Sequence, residues 1–310
     1  MAYQTGSVTD MTNMLSILTT FAAANGWSWD ATHAVINKGN VYGKLETLDV
    51  DRLKLTPGTG VDGTGVLTGT GDAYHIMSGL GTTGSWSKNI TWPATYHIFL
   101  NTNPDDIVVL INFDNYYWTW MGFGQANNLG VPGLGTWFGA FMPVEWIAAI
   151  TISEAGTSSG YNRQAPCAPF WAEINNAGYG CLASSSLHCN LDGADGVVRQ
   201  WSSDGMYAST SLLGRFYDVT TPLLARQPNS WNGEDVLVPA RIGVNRPSSL
   251  KSYAAEMPHV RLLRLINREG GDIITIGTDQ WFVAPFFRKN TAAQTGTDSG
   301  TWGWAIRKTP

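Results

Sequence analysis

Carboxylates, histidines and cysteines are the side chains able to act as acids, bases, nucleophiles or metal ligands, and this chain of 310 residues spaces them thinly. Asp105-Asp106 and Asp114 flank the apolar run Ile107–Ile111, while Glu145, Glu154 and Glu173 are scattered. A glycosidase holds two carboxyls about 5 Å or about 6.5–9.5 Å apart, a distance that sequence does not encode. Asp105, Asp106 and Asp114 sit in turn-forming clusters, so turn formation is their expected role. His33, His75, His97 and His259 show no H-E-x-x-H pairing. Cys167, Cys181, His188 and Cys189 gather in one segment. Zinc ligands normally come in pairs two to four residues apart before a longer gap, and adjacent His188-Cys189 would diverge from one strand. Buried thiols and an ordinary histidine are therefore expected, with one disulfide left open. Neither a metal nor a cofactor is expected.

Three motifs match on paper and fail on context. Gly58-Thr59-Gly60-Val61-Asp62-Gly63 and Gly79-Leu80-Gly81-Thr82-Thr83-Gly84 both read G-x-G-x-x-G. A dinucleotide site needs a helix directly after the glycines, so that its N-terminus meets the pyrophosphate. No helical pattern follows either one. Gly156-Thr157-Ser158-Ser159-Gly160 matches the hydrolase elbow G-x-S-x-G, which also demands a following helix. Asn162, Arg163, Pro166 and Pro169 argue for a loop instead.

Aromatic side chains are the one excess that points to binding. The chain holds 14 Trp and 35 Gly but only 14% charged residues, against about 25% in average soluble domains. Flat aromatic faces with few solvating charges suit a surface covered by neighbours, and a sugar-binding protein shares that composition. Trp118 and Trp120 fall on one face of a strand, as do Trp302 and Trp304, while Trp137 and Phe138 lie in a glycine-rich stretch. These six are the interface candidates, core or interface being preferred over a sugar platform. The net charge of −5 conceals an asymmetry. From Arg241 onward the chain carries ten basic and five acidic residues, whereas the preceding part carries nine and nineteen. Opposed ends of this kind steer copies or partners into register. No polybasic patch exists, so no nucleic-acid partner is expected. No run of 18 apolar residues exists, so no membrane segment is expected. Without a leader sequence, Asn89-Ile90-Thr91 is read as a chance glycosylation match.

The elements that would position these residues are mostly short strands. Ser7 to Gly26 reads as an amphipathic helix capped by Ser7 or Thr9, with Met11, Met14, Leu15, Leu18, Phe21 and Ala22 at helical spacing and Gly26 as its stop. Tyr96–Leu100, Ile107–Phe113 and Tyr116–Phe123 form a three-stranded meander through Asn103-Pro104-Asp105 and Asp114-Asn115. Its middle strand is expected to be covered on both faces. The stretch after Phe123 reads as a long loop packing through Trp137, Phe138 and Phe141. Val144–Ile152 leans to a strand, and Ser248–Glu256 to a short helix. Strands are expected at Leu212–Val219, Val236–Ile242, Val260–Ile266, Ile273–Ile276, Trp281–Phe287 and Trp302–Ile306. The fold class is mainly β, an antiparallel sandwich or barrel-like sheets, with an N-terminal amphipathic helix and long Gly/Pro/aromatic loops. Residues 1–165 form a helix plus meander core, 166–198 an irregular cysteine-bearing insertion, and 199–310 a β region completing the same or a second domain.

Three segments carry a resemblance. The opening AYQTGSVTDMTNMLSILTTFAAANGWSWD, the central IVVLINFDNYYWTWMGFG, and the ending (VRLLRLIN, DQWFVAPFFRKN and WGWAIRK) resemble tailed-phage virion proteins of unassigned role. The resemblance implies a non-enzymatic structural subunit of a phage particle, in the tail, tail tip, baseplate or neck. It would be made in the bacterial cytoplasm, reside in the virion, and contact other virion proteins and copies of itself. A capsid-surface, vertex or decoration protein is the nearest alternative. The others are a carbohydrate- or receptor-binding protein that presents tryptophan platforms to a host-surface glycan, and a glycoside hydrolase or depolymerase.

Overall fold

The computed structural model describes residues 1–71, 74–79, 88–141, 169–170, 185–192, 198–203, 213–214, 234–245, 251–289 and 299–309. The chain opens with β1 (Ala2–Val8), α1 (Met11–Ala24), β2 (Ser28–Asp30), β3 (Val35–Lys38), β4 (Val41–Asp49) and β5 (Arg52–Gly58). Next come β6 (Gly60–Val61), β7 (Leu67–Thr68), β8 (His75–Met77), β9 (Ala94–Asn101), β10 (Asp106–Phe113) and β11 (Tyr117–Gln125). After these lie β12 (Asn127–Asn128), β13 (Thr136–Ala140), β14 (Ser185–Asp192), β15 (Val198–Ser203) and β16 (Leu213–Gly214). The last elements are β17 (Val238–Asn245), β18 (Lys251–Arg264), β19 (Ile273–Ile276), β20 (Asp279–Pro285) and β21 (Trp302–Thr309). The protein is mainly β, and its described strand pairs are antiparallel.

A central sheet in the order β1-β9-β10-β11-β13-β14-β15 is sandwiched between two others. On one side lies the C-terminal sheet β16-β17-β18-β21-β20-β19. Phe99 meets Phe282 at 5.3 Å, Trp120 meets Trp304 edge-on at 5.4 Å, and Phe141 stacks on Phe287 at 4.9 Å. On the other side lies the N-terminal sheet β2-β3-β4-β5-β8 with α1 beside it. There Trp27 meets Phe123 at 5.5 Å, and Gly43 leaves room for the Phe138 ring. The meander predicted from sequence is β9-β10-β11, at the centre of this stack. Ile107, Val108, Val109, Leu110 and Ile111 all have no exposed surface, as a strand covered on both faces requires. Each such burial contributes about 1.5–3 kcal/mol.

Helix α1 starts later than expected. Ser7 and Val8 are still in β1, paired with Thr95 and Ala94. The cap is Asp10, whose carboxylate accepts from the Asn13 N–H at 2.7 Å. Met11, Met14, Leu18, Thr19 and Ala22 are buried at helical spacing. Gly26 adopts φ of +82° and ends the helix, with the Trp27 N–H bonded to Ala22 O.

Three further expectations are corrected. Trp137 and Phe138 belong to β13, a strand inside the central sheet, where Phe138 opposes Phe123. The positive-φ glycines Gly130, Gly133 and Gly135 just ahead of β13 give the segment its loop-like composition. Residues 251–256 are in β18, not a helix, because Lys251–Glu256 pair along β17. Tertiary pairing overrides the helical preference of Ala254, Ala255 and Glu256. Part of the supposed irregular insertion, Ser185–Asp192, is β14 and pairs with both β13 and β15. Val144–Ile152, the rest of 166–184 apart from residues 169 and 170, and most of Leu212–Val219 lie outside the described residues.

Candidate functional site

The six aromatic interface candidates are all interior to the chain. Trp120, Trp137, Phe138, Trp302 and Trp304 are at most 1% exposed, and Trp118 is 5% exposed. Trp118 packs edge-on to Phe282, and Trp137 covers Gly122, where an added Cβ would come within 2.7 Å of the ring. Trp302 lies under the Arg264 guanidinium at 4.6 Å. The same-face pairing read from sequence holds, but both pairs face the chain's own inter-sheet core. Trp29, Trp92 and Trp201 are only half-buried.

The candidate carboxylates separate into three settings. Asp105 pairs with Lys38 at 2.9 Å, and Asp114 pairs with Lys88, which holds the Asp114 carboxyl below its usual range. Asp106 is different. It belongs to β10 rather than a turn, and it points between the central and C-terminal sheets. Asn101 Nδ2 donates to its Oδ1 at 2.8 Å, and His259 Nδ1 from β18 lies 2.6 Å from its Oδ2. Both Asp106 and His259 are 1% exposed. A buried acid–imidazole pair with both carboxylate oxygens occupied joins two sheets; it presents no group to a substrate. Sequence reading missed this pair because 153 residues separate its members.

His97 faces the same inter-sheet layer near β1. Its Nδ1 lies 2.9 Å from Tyr3 Oη and 3.2 Å from Thr5 Oγ1. Burial, and then the positive charge of Lys308, hold its pKa down at about 4. His188 Nδ1 accepts from the Leu134 N–H at 2.9 Å, and the Cys189 thiol donates to Ser202 Oγ at 3.2 Å. Burial raises the Cys189 thiol pKa, so it is a poor nucleophile. Cys167 and Cys181 lie outside the described residues, as do Glu145, Glu154, Glu173 and the stretch Gly156–Gly160. Among the described residues no group of three potential metal ligands converges. No described helix is long and apolar enough to cross a membrane.

The described residues do assemble a cleft of about 440 Å³, lined by both polar and apolar groups, on the outward face of the N-terminal sheet. Alternation along β4 and β5 builds it. Val41, Gly43 and Leu45 turn inward with Leu53, Leu55 and Pro57, so Lys44, Glu46, Lys54 and Thr56 turn outward. Glu46 is bracketed, with Lys44 Nζ at 2.7 Å and Lys54 Nζ at 3.6 Å. Hydrogen bonding to Lys44 holds the Glu46 carboxyl below its usual range, so it remains an acceptor.

A second wall comes from the β2–β3 connection. Asp30 Oδ1 accepts from the Thr32 and His33 N–H groups at 2.8 and 3.3 Å, which folds the His33 ring back to Asp30 Oδ2 at 2.7 Å. Thr32, His33 and Ala34 thereby reach the cleft. The roof is the β6–β7 ribbon, made by the glycine motif at 58–63. This motif leads into a hairpin, not a helix. Asp62 Oδ1 closes the turn, accepting from the Thr64 hydroxyl at 2.7 Å and the Thr64 and Val66 N–H groups at 2.8 and 3.1 Å. Gly65 at the turn sits directly over the Asp30–His33 pair. Val66, Leu67 and Thr70 complete the lining. Trp201 of β15 fixes the far end by donating Nε1–H to Gly69 O at 2.8 Å. An Asp–His pair orients an imidazole as a base would be oriented, yet among the described residues no hydroxyl bonds its second nitrogen. The arrangement offers donors, acceptors and an apolar wall, but no assembled nucleophile.

Comparison with known proteins adds no identity. No protein-family model matches the chain, and none of the curated proteins matches it.

Proposed function

We propose that this chain is a non-enzymatic structural subunit of a phage particle, placed in the tail, tail tip, baseplate or neck, and working through protein–protein contacts. One observation carries the reading. The three segments that resemble virion proteins, far apart in sequence, are the elements that build the layered core: β1 and α1, then β10 and β11, then β18, β20 and β21. The segments that carry the likeness thus lie in the framework of this fold rather than at scattered surface positions. The interior polar groups support it too, since Asp106, Asn101 and His259 are spent on joining sheets. In this reading the N-terminal amphipathic helix and the long Gly/Pro/aromatic loops belong to one virion subunit, made in the bacterial cytoplasm and assembled with copies of itself. Partner contacts fall to surface residues, because the six aromatic candidates Trp118, Trp120, Trp137, Phe138, Trp302 and Trp304 are internal.

Quantitative mass spectrometry of purified particles from the source tests this. The expected result is a stoichiometric presence, in a multiple of three, five or six relative to the shell and tube proteins. Absence from the particle would sink it. A capsid-surface or vertex position is the neighbouring outcome, read from which symmetric layer matches the copy number. The cleft beneath the β6–β7 ribbon favours one second reading, a receptor-binding role. That role would act through hydrogen-bonding side chains and not through the buried tryptophans.

A further inference from the structure

We infer that the cleft between β4, β5 and the β6–β7 ribbon is a binding site for a neutral saccharide. Charge balance comes first. Among the lining residues Lys44 is matched by Glu46, and His33 is held by Asp30, so the cleft has no excess that would select an anion or a cation. Capacity comes second. Lys44 offers donors beside Glu46, an acceptor 2.7 Å away, while Thr56, Thr32 and Thr70 hydroxyls can both donate and accept. A pair of neighbouring sugar hydroxyls meets this pattern, one donating to the carboxylate and one accepting from the ammonium. A phosphate would set its negative charge against the Glu46 carboxylate, and an apolar ligand would leave both groups without a partner. Shape comes third. Leu67 and Ala34 give the cleft an apolar side for the C–H face of a sugar ring, and about 440 Å³ falls in the range of small-ligand sites. The roof packs closely over His33 at Gly65 and is tied at Gly69 by the Trp201 hydrogen bond. A pre-formed roof lowers the ordering cost of binding.

This inference goes beyond the structural-subunit reading. The cleft lies on the outward face of the N-terminal sheet, away from the layers that carry that reading. Backbone-amide NMR titration of the purified full chain tests it with D-glucose, D-galactose, D-mannose, N-acetyl-D-glucosamine and L-rhamnose, and with inorganic phosphate. At least one saccharide is expected to shift the amides of Thr32, Thr56 and Thr70, and phosphate is not. Thr56→Val, which keeps the side-chain shape, and Glu46→Gln are each expected to weaken that binding about tenfold, the cost of one or two lost hydrogen bonds. If Glu46→Gln fails to fold, Thr56→Val alone decides. No saccharide shift in the set, shifts remote from the cleft, phosphate binding in its place, or full affinity in Thr56→Val would each overturn it. Incorporation of the Thr56→Val chain into particles is a separate readout, so a failed saccharide test leaves the structural reading standing, and the converse holds.

Discussion

Asp106 shows what a single buried carboxylate can contribute when both of its oxygens are occupied. Removing it strands the Asn101 amide and the His259 ring between two sheets that exclude water. Asp106→Ala should therefore cost about 2–4 kcal/mol, more than a typical substitution. Urea unfolding measures this, and a loss below about 1 kcal/mol would show that the sheets close without the pair. His97 makes a prediction of the opposite kind, in which the native state resists a charge. Its folded pKa of about 4 lies under the ordinary 6.5 because burial, and then Lys308, disfavour protonation. The unfolded chain thus binds the proton first. Stability from this group is complete above pH 6.5 and is lost as pH falls toward 4, with a limiting slope of about 1.4 kcal/mol per pH unit. Tyr3, stacked beside His97, does not titrate in that window; burial raises its phenol pKa still higher. His97→Phe should flatten the unfolding free energy between those pH values. An unchanged slope in the variant would assign the acid sensitivity to other groups.

At the scale of elements, the outcome followed how local each signal was. The β9-β10-β11 meander was legible because its strands are long, β-branched and separated by Asn-Pro-Asp and Asp-Asn, which act within four residues. The stop of α1 at Gly26 was legible for the same reason. Its start was not, because Ser7, Thr9 and Asp10 are all competent caps, and only pairing of Ser7 with Thr95 decides among them. Strand β13 escaped notice because it is five residues long and preceded by turn glycines; its pairing with β11 and β14 is non-local. Residues 251–256 read as a helix until β17 supplied a partner. The cleft was the least legible feature. Lys44, Glu46 and Thr56 are ordinary outward residues of two strands, and nothing in their spacing announces that a glycine hairpin folds over them. The Asp30–His33 pair left a faint local signal, an acid three residues before a histidine in a turn. The buried tryptophans were legible as same-face pairs, but which side of the sheets their partners lay on was not.

Across the whole molecule, the division of charge acquires a physical basis. In the basic C-terminal part, the acidic Glu256, Glu269 and Asp279 are each taken up by a neighbouring cation, Arg241, Lys289 and Arg307 respectively. Arg268 reaches outside that part to Asp235, and Arg264 is buried with its guanidinium over the Trp302 ring. Three of the five acids of this part are thus committed, and the excess positive charge is left to act at longer range. The earlier part of the chain keeps its acidic excess. Copies arranged with the basic part of one against the acidic part of the next would gain from this split, which is the geometry of a ring or stacked cluster. Such a contact acts through exposed charges and must weaken as salt shortens the screening length, from about 10 Å at 0.1 M to about 3 Å at 1 M. Sedimentation velocity of the purified chain should therefore show self-association that falls about tenfold in affinity over that range. Association insensitive to salt would place the contact on apolar surface instead, with exposed Ile273 and Ile276 of edge strand β19 the first to substitute. A chain that stays monomeric at low salt would show that the charge split does not drive self-assembly.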